Sequence, residues 1–186
     1  MSRASKIVVL CEDKAHKNFI YRFLKRGWNI RPPYITFPRF PSGSGSGRRF
    51  VEERFPNEYV ACLSRSATTI LIVVRDADEQ PVSEVKSTLL GKLQKAKRKN
   101  ISAENVVFII PKWHIETWIA YLDNKTVDES DKETYKSEYG KIAGTNKVHW
   151  LIDRLVSQCK GQSELNSAPS SLLAACTEFN RIRDKL

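Results

Sequence analysis

Residues 8–19 read VVLCEDKAHKNF, and this stretch decides the fold. It begins inside the apolar run of residues 7–11, passes through Glu12 and Asp13, and continues as a helical pattern. A short, continuously apolar, β-branched run is typical of a strand buried on both faces, as in a parallel sheet covered by helices. The stretch therefore predicts a β-α unit with two acids at the turn.

Three further runs extend this pattern along the chain. Residues 70–74 (ILIVV) and 106–110 (VVFII) are apolar throughout, and residues 34–37 (YITF) form a weaker candidate strand after two prolines. Helical periodicity follows each run, which gives the order β-α-β-α-β-α-β-α. This alternation predicts an α/β fold with a central, mostly parallel four-stranded sheet flanked by helices.

The predicted helices have recognisable ends and interruptions. Asp13 is suited to cap the first helix, and Gly27 is suited to end it. The second helix spans residues 50–63, where Pro56 must kink or split it. The other two cover residues 82–96 and 115–122.

The composition of the chain becomes more polar after the fourth predicted helix. Residues 123–138 are polar and mixed in charge, which predicts a surface loop, and helical patterns follow around residues 148–155 and 170–182. We therefore expect residues 1–122 to form the α/β core. Residues 123–186 are expected to pack on it as a polar loop and C-terminal helices, within a single domain.

The chain is strongly basic. Its 186 residues include 31 Lys and Arg against 21 Asp and Glu, which gives a net charge of +10 and a pI of about 9.5. An excess of this size favours a polyanionic partner, most often nucleic acid, although solvated surface lysines produce the same total. No apolar run approaches the roughly 20 residues of a membrane span, and no signal-peptide pattern opens the chain. These features predict a cytoplasmic protein without a membrane partner.

The cysteines give no sign of a metal site. None forms a C-x-x-C pair, and no histidine lies at zinc-finger spacing, so a structural zinc ion is not expected. A cytoplasmic location predicts that all of them are reduced thiols. They are Cys11, Cys62, Cys159 and Cys176.

Acidic residues follow three of the predicted strands. Glu12 comes after the first strand, Asp76 and Asp78 come after the third, and Glu116 opens the helix after the fourth. Because the carboxyl ends of parallel strands meet at one edge of a sheet, these acids are expected to converge. Converging carboxylates repel one another, and Mg²⁺ or Mn²⁺ relieves that repulsion. The spacing predicts a metal site with all four acids as ligands, where Glu12 is also available as a general base.

Acids at strand ends also have a purely structural explanation. Asp and Glu commonly cap the next helix or solubilise a turn. Asp13 fits this explanation best. For Glu12 and for the Asp76-Ala77-Asp78 triplet both explanations remain open at this point.

The order of the acids resembles the TOPRIM domain, which topoisomerases, primases and several nucleases share. A TOPRIM domain carries a glutamate after its first strand and a D-x-D after its third, which Glu12 and the D-A-D of Asp76 and Asp78 match here. The closer resemblance is to the small nuclease-like branch allied with OLD- and RloB-type phage-defence proteins. That branch carries C-E-D/G before a helix and a later I/F-E-x-W-[IL] element, matched here at Glu116. The resemblance covers roughly residues 6–122.

The resemblance implies a divalent-metal-dependent nuclease that hydrolyses phosphodiester bonds of DNA or RNA. It implies that the four acids hold Mg²⁺ or Mn²⁺, and that the protein is the effector of a bacterial anti-phage system. Its partner would be a separately encoded ABC- or AAA-type ATPase, since this chain has no nucleotide-triphosphate motif. Some OLD-type sites also use a later lysine, for which Lys112 is the candidate here.

Residues 41–49 read PSGSGSGRR and lie at the same predicted edge as the acids. Repeated Gly and Ser let a backbone approach phosphate closely, and they equally suit an unstructured surface loop. Arginine pairs bidentately with phosphate. The expected nucleic-acid contacts are Arg39, Ser44, Gly45, Arg48 and Arg49.

Two histidines lie close in sequence to the predicted site. His16 falls one turn into the first helix, from where it could approach Glu12, and His114 precedes Glu116 by two residues. Either could act as an acid or base, and either could equally be an ordinary polar surface residue.

Two other functions fit the same residues. The first is a non-catalytic TOPRIM-like module that binds nucleic acid or a partner protein. The second is a phosphate-accepting, receiver-like signalling domain, which also gathers acids at strand ends and uses a lysine after its final strand. Lys112 occupies that position here.

Overall fold

The structure is a computed structural model, and it describes residues 6–39, 46–65, 68–95, 104–141, 145–161, 165 and 167–185. The elements follow one another as β1 (Lys6–Cys11), α1 (Lys14–Gly27), β2 (Ile35–Thr36), α2 (Gly47–Leu63), β3 (Thr69–Val74), α3 (Val82–Lys95), β4 (Val106–Ile109), α4 (Ile115–Leu122), α5 (Thr134–Tyr139), α6 (Asn146–Gly161) and α7 (Ser170–Arg181).

The four strands form one parallel sheet in the order β2-β1-β3-β4. The predicted α/β fold with a four-stranded sheet is therefore confirmed, and every pairing is parallel. β1 and β3 occupy the centre, and Cys11 lies opposite Val74 at their carboxyl ends. This register brings the residues that follow the two strands to adjacent positions on one edge.

The sheet is covered on both faces. Side chains such as Val9 and Ile72 face a large apolar cluster formed with α1 and with α4 to α7. Their neighbours in sequence, such as Leu10 and Val73, face a second cluster formed with α2 and α3. Each central strand is buried along most of its length, which explains why its sequence is continuously apolar instead of alternating.

The ends of α1 agree with the sequence pattern. The Asp13 side chain caps the helix, because its Oδ1 accepts a hydrogen bond from the His16 backbone nitrogen at 2.8 Å. The helix ends at Gly27 as predicted, where the chain packs closely against Val156 of α6. In α2, Pro56 lies inside one continuous helix and does not split it.

The predicted loop over residues 123–138 is wrong at its end, where the chain forms α5. Tyr135 and Tyr139 lie one turn apart on this short helix, and both are buried. The Tyr135 hydroxyl accepts a hydrogen bond from the Asp128 backbone nitrogen at 2.9 Å, and the Tyr139 hydroxyl donates to Asp123 Oδ2 at 2.9 Å. The two tyrosines therefore anchor a segment whose composition is otherwise polar.

The outer edge of β4 is bonded to side chains of α7. Glu178 Oε2 accepts a hydrogen bond from the Phe108 backbone nitrogen at 3.4 Å. Arg181 donates to the Val106 carbonyl and, at 3.0 Å, to the Glu104 carbonyl. These side chains therefore satisfy backbone polar groups along the side of β4 that has no neighbouring strand.

The expectation of four reduced thiols is wrong for two of the cysteines. Cys159 of α6 and Cys176 of α7 form a disulfide, with Cα atoms 5.2 Å apart. Packing of these two helices brings together residues 17 positions apart in sequence, which the sequence alone did not indicate. Cys11 and Cys62 are free.

None of the helices in the described part of the chain is long and apolar enough to cross a membrane.

Candidate functional site

The acids after β1 and β3 lie together at the carboxyl ends of the central strands. Glu12 directly follows β1, and Asp76 lies two residues beyond the end of β3. Because Cys11 is in register with Val74, the two acids leave adjacent strands at the same edge. We call Glu12, Asp76 and Asp78 the acid edge.

Glu12 is the most strongly perturbed member of the acid edge. Burial raises the pKa of its carboxyl to about 8, and the negative charges of Asp76 and Asp78 act in the same direction. His16 and Arg75 oppose the shift. Glu12 Oε1 is buried and accepts no hydrogen bond within the described residues. A buried carboxylate oxygen without a partner, beside two other acids, is a position that a cation would stabilise.

His16 is bonded to the acid edge from the first turn of α1. Its side chain is buried, and its Nε2 donates a hydrogen bond to Asp76 Oδ1 at 2.9 Å. Burial alone would lower the pKa of this imidazole, but the charge and hydrogen bond of Asp76 outweigh burial and raise the pKa to about 9. His16 is therefore a buried cation at neutral pH that neutralises Asp76.

Asp78 lies at the open side of the acid edge. Its backbone has a φ of 56°, a left-handed conformation that Asp tolerates better than most residues, and its side chain is 41% exposed. Arg48 Nη1 lies 3.7 Å from Asp78 Oδ2. Asp78 can therefore contact a ligand that approaches from solvent.

Lys112 supports the backbone of this turn. Its Nζ donates to the carbonyl oxygens of Asp78, at 2.6 Å, and Gln80, at 3.0 Å. The ammonium group also lies 5.1 Å from the centroid of the Trp113 ring. Lys112 reaches the acid edge from the loop after β4, where it contacts main-chain oxygens and not a carboxylate.

Glu116 is buried in the first turn of α4. Burial raises the pKa of its carboxyl, and the charges that act on it most strongly are those of His114, Asp13 and His16. His114 Nδ1 lies 3.8 Å from Glu116 Oε2, and its Nε2 donates to the Lys132 carbonyl at 2.8 Å. Glu116 therefore lies close enough to the start of α1 for the charges of Asp13 and His16 to act on its carboxyl.

The described residues do not form a closed metal cage. Within them, no group of three or more His, Cys, Asp or Glu side chains could hold a metal ion by itself. Glu12 and Asp76 nevertheless offer hard oxygen ligands at one point, and the unpartnered Glu12 Oε1 fits a cation there. Mg²⁺ commonly binds through one or two carboxylates and completes its shell with water and substrate oxygens. The residues fit an ion held in that way.

Arg75 is a site residue that the sequence reasoning missed. It lies between β3 and Asp76, is 1% exposed, and its Nη2 lies 3.0 Å from Gln80 Oε1 and 3.1 Å from Glu52 Oε1. Its Nε and Nη1 have no hydrogen-bond partner in the described residues. An arginine directly after an apolar strand, in VVRDAD, was the available signal, because charges are rarely buried there without a role.

The predicted nucleic-acid contacts separate into groups. Arg48 is half exposed, pairs with Glu52 and reaches Asp78 at the acid edge. Arg49 is exposed and pairs with Glu53 at 2.7 Å, one turn further along α2. Arg39 is exposed. Ser44 and Gly45 lie outside the described residues.

Gly47 explains why Arg48 comes so close to the acids. A Cβ atom at this position would lie 2.4 Å from the Glu12 carbonyl oxygen and 2.9 Å from the Glu12 Cβ. Only a residue without a side chain lets the first turn of α2 approach Glu12 this closely. The glycine therefore couples the start of α2 to the position of Glu12.

Comparison with known proteins gives no relative: no family model, no curated protein and no solved structure matches the chain.

Proposed function

We propose that the protein is a divalent-metal-dependent phosphodiesterase that cleaves DNA or RNA at the acid edge. The observation that carries the proposal is the buried, unpartnered Glu12 Oε1, whose carboxyl has its pKa raised to about 8 by burial and by Asp76 and Asp78. Such a group is poorly stabilised by the protein alone. A cation and a phosphodiester would supply the missing interactions, and the net charge of +10 favours a polyanionic substrate.

Each residue of the site has a role in this proposal. Glu12 and Asp76 hold Mg²⁺ or Mn²⁺, which, when bound, polarises a phosphodiester oxygen and offsets the charge of the acids. His16 fixes the orientation of Asp76 through its hydrogen bond. Arg48 contacts the substrate phosphate, and the other carboxylate oxygen of Glu12, Oε2, accepts the proton of the attacking water.

Asp78, Lys112 and Glu116 have supporting roles. Asp78 is a further metal ligand at the open side of the acid edge. Lys112 maintains the turn that carries Asp78 by donating to its carbonyl oxygen. Glu116 stays a predicted ligand, and its buried carboxyl lies 3.8 Å from His114 Nδ1.

A cleavage assay tests the proposal. Purified protein is incubated with plasmid DNA, tRNA or single-stranded DNA in the presence of Mn²⁺, Mg²⁺ or EDTA. We expect cleavage that requires the metal and falls by about 100-fold or more in Glu12→Gln and Asp76→Asn. Glu79→Gln is the matched control, because Glu79 is an exposed acid in the same turn. Cleavage that survives both site variants would overturn the assignment.

A non-catalytic module that binds nucleic acid is the second candidate. His16 already occupies one oxygen of Asp76, which leaves fewer free oxygens for a metal ion. Binding of the same nucleic acids without cleavage under any metal condition would favour this candidate. The receiver-like alternative gains no support from Lys112, whose ammonium contacts carbonyl oxygens of the turn.

The wider context is also proposed. The TOPRIM resemblance to OLD- and RloB-type proteins suggests the effector of an anti-phage system that works with a separate ATPase. Affinity purification from the native host tests this, because a stably bound ATPase would support it and its absence would count against it.

We propose the cytoplasm as the compartment, since a nuclease of this class meets its substrate there. The Cys159–Cys176 disulfide argues in the opposite direction, because disulfides are uncommon in reducing compartments. The number of free thiols, trapped chemically at the moment of cell lysis, distinguishes a reducing from an oxidising compartment. Four accessible thiols after denaturation would support the cytoplasm, and two would count against it.

A further inference from the structure

A second candidate binding site lies away from the acid edge. A cavity of about 690 Å³ opens between the end of α4, the chain that follows it and the middle of α6. Its volume is in the range of pockets that bind small organic ligands. Two of its lining residues, Lys125 and Arg154, are basic, and none of the lining residues is acidic. The cavity is therefore suited to an anionic ligand.

Two unpartnered polar atoms belong to residues that line this cavity. Arg154 Nε and Gln158 Oε1 are both buried, and neither has a hydrogen-bond partner in the described residues. The two residues lie four positions apart on α6, so they share one face of the helix. One atom is a donor and the other an acceptor. Both atoms are closed to solvent, so this face of α6 carries hydrogen-bonding groups that the described chain leaves unsatisfied.

The guanidinium group of Arg154 is held in place from one side. Its Nη2 donates to the Leu122 carbonyl and lies 3.3 Å from Asn124 Oδ1. These contacts fix the plane of the group and leave Nε unused. A fixed guanidinium with a spare donor is well prepared to bind a phosphate or carboxylate.

Lys125 provides the second positive charge. The chain turns sharply at Asn124, which has a φ of 64°, and this turn sets Lys125 among the residues that line the cavity. Lys125 Nζ lies 3.2 Å from Glu138 Oε1, and both side chains are about half exposed. An exposed ion pair is weak, so the lysine can turn toward an anion in the cavity.

An exposed aromatic ring lies beside the cavity. Trp150 precedes Arg154 by one turn of α6, is 63% exposed, and has its ring centroid 5.8 Å from the guanidinium carbon. Tryptophan side chains are highly buried on average. Next to a cationic cavity it offers a surface on which a nucleobase can stack.

We propose that this cavity binds a nucleotide unit that carries a phosphate. The phosphate contacts Arg154 and Lys125, the base stacks on Trp150, and the Gln158 side chain turns to accept a hydrogen bond from an N–H of the base. The site is distinct from the acid edge, since neither Glu12, Asp76 nor Asp78 is among the residues that line the cavity. The inference goes beyond the proposed nuclease activity and does not require it.

Calorimetric titration of the full chain tests the proposal. The buffer contains EDTA, so that the acid edge holds no metal ion. The probes are adenosine 5′-monophosphate (AMP), adenosine, inorganic phosphate and a ten-nucleotide single strand. We expect AMP to bind with a dissociation constant below about 1 mM, and adenosine and phosphate to bind at least tenfold more weakly.

The other outcomes are informative. A single strand that binds more tightly than AMP and competes with it would assign the nucleotide unit to a polynucleotide. AMP that binds more tightly than the single strand would assign the nucleotide unit to a free nucleotide. Phosphate that binds as tightly as AMP, or no binding of AMP at all, would overturn the proposal.

Variants of the lining residues locate the binding site. Arg154→Gln and Lys125→Glu are expected to weaken AMP binding by about tenfold or more. Gln158→Leu is expected to weaken AMP binding several-fold and to leave phosphate binding unchanged. Lys136→Ala removes an exposed lysine of α5 and serves as the matched control. AMP binding that none of the three variants alters would also overturn the proposal.

Two controls keep this test independent. Arg154 also donates a hydrogen bond to the Leu122 carbonyl, which the substitution removes. Thermal melting must therefore show that Arg154→Gln is folded. Lys125→Glu avoids this difficulty because Lys125 is half exposed. Glu12→Gln should leave AMP binding in EDTA unchanged, so that failure of the nuclease proposal and failure of this one can be distinguished.

Discussion

His16 Nε2 and Asp76 Oδ1 lie 2.9 Å apart and join the first turn of α1 to the residues that follow β3. The imidazole is buried and the carboxylate is 14% exposed, so this ion pair is largely shielded from solvent. The His16 imidazole places a positive charge close to the carboxyl groups of Glu12 and Asp78.

Removal of His16 should destabilise the protein. His16→Gln leaves Asp76 without its counter-charge, and loss of one partner of a buried pair costs about 3 kcal/mol. We expect the free energy of unfolding in urea to fall by roughly this amount at pH 7. His149→Gln, which alters a histidine that forms no ion pair in the described residues, should cause a much smaller change. Equal effects of the two substitutions would argue against the pair.

Without metal, stability should fall as the pH rises from about 5 to 9. The folded state keeps the Glu12 proton up to about pH 8, whereas the unfolded state loses it near pH 4.5, so Glu12 lowers stability as pH rises through this window. His16 stabilises the fold fully below pH 6.5, and this contribution is lost as pH rises through about 9. Both changes have the same sign. Thermal melts in EDTA at a series of pH values measure the sum.

Glu12→Gln isolates the contribution of one group to this pH dependence. The variant lacks the titrating carboxyl, so above pH 8 without metal it should be more stable than the unaltered protein, by up to about 5 kcal/mol. At pH 5 the difference should be small. Glu79→Gln is the control and should follow the unaltered protein throughout. Addition of Mn²⁺ at pH 8 should stabilise the unaltered protein and leave Glu12→Gln nearly unchanged.

Two glycine substitutions should have opposite effects. In Gly47→Ala the new methyl group would lie 2.4 Å from the Glu12 carbonyl oxygen, so α2 or Glu12 must move, which we expect to cost about 2 kcal/mol. Gly91 lies within α3, and among the described residues no atom beyond its chain neighbours and the adjoining helix backbone lies within 4 Å of a Cβ placed there. Gly91→Ala should therefore stabilise the protein by up to about 1 kcal/mol through its higher helix propensity. Chemical denaturation of both variants gives the comparison.

Arg48 and Arg49 should contribute unequally to nucleic-acid binding. Arg48 lies beside Asp78 at the acid edge, whereas Arg49 pairs with Glu53 on the exposed part of α2. Arg48→Ala should weaken binding of a labelled oligonucleotide several-fold and reduce the salt dependence by about one phosphate contact. Arg49→Ala should change both quantities less. Fluorescence anisotropy at several salt concentrations measures them, and equal losses would place the substrate along the outer face of α2.

Local features of the fold were predictable because local residues determine them. The apolar runs gave the strands, and Asp13 caps α1 through a contact only three residues away. The helix α5 was missed because its stability depends on Tyr135 and Tyr139, which are buried by distant parts of the chain. The Cys159–Cys176 disulfide depends in the same way on how α6 packs against α7.

The candidate site was predictable in part for the same reason. Strand order placed Glu12 and Asp76 at one edge, because parallel strands end together. The partners of those acids depend on contacts between distant residues, so the His16 hydrogen bond to Asp76 and the buried Arg75 were not evident. The position of Glu116 depends on packing near the start of α1, which a motif alone does not specify.

The bonds between α7 and the outer strand of the sheet protect that edge from pairing with another molecule. An open strand edge can recruit a strand from another molecule and so start aggregation. Here β4 is covered by Glu178 and Arg181, and β2, at the opposite edge, is only two residues long. Loss of α7 would therefore expose the unpaired edge of β4. A truncated chain that ends before Ser170 is expected to self-associate.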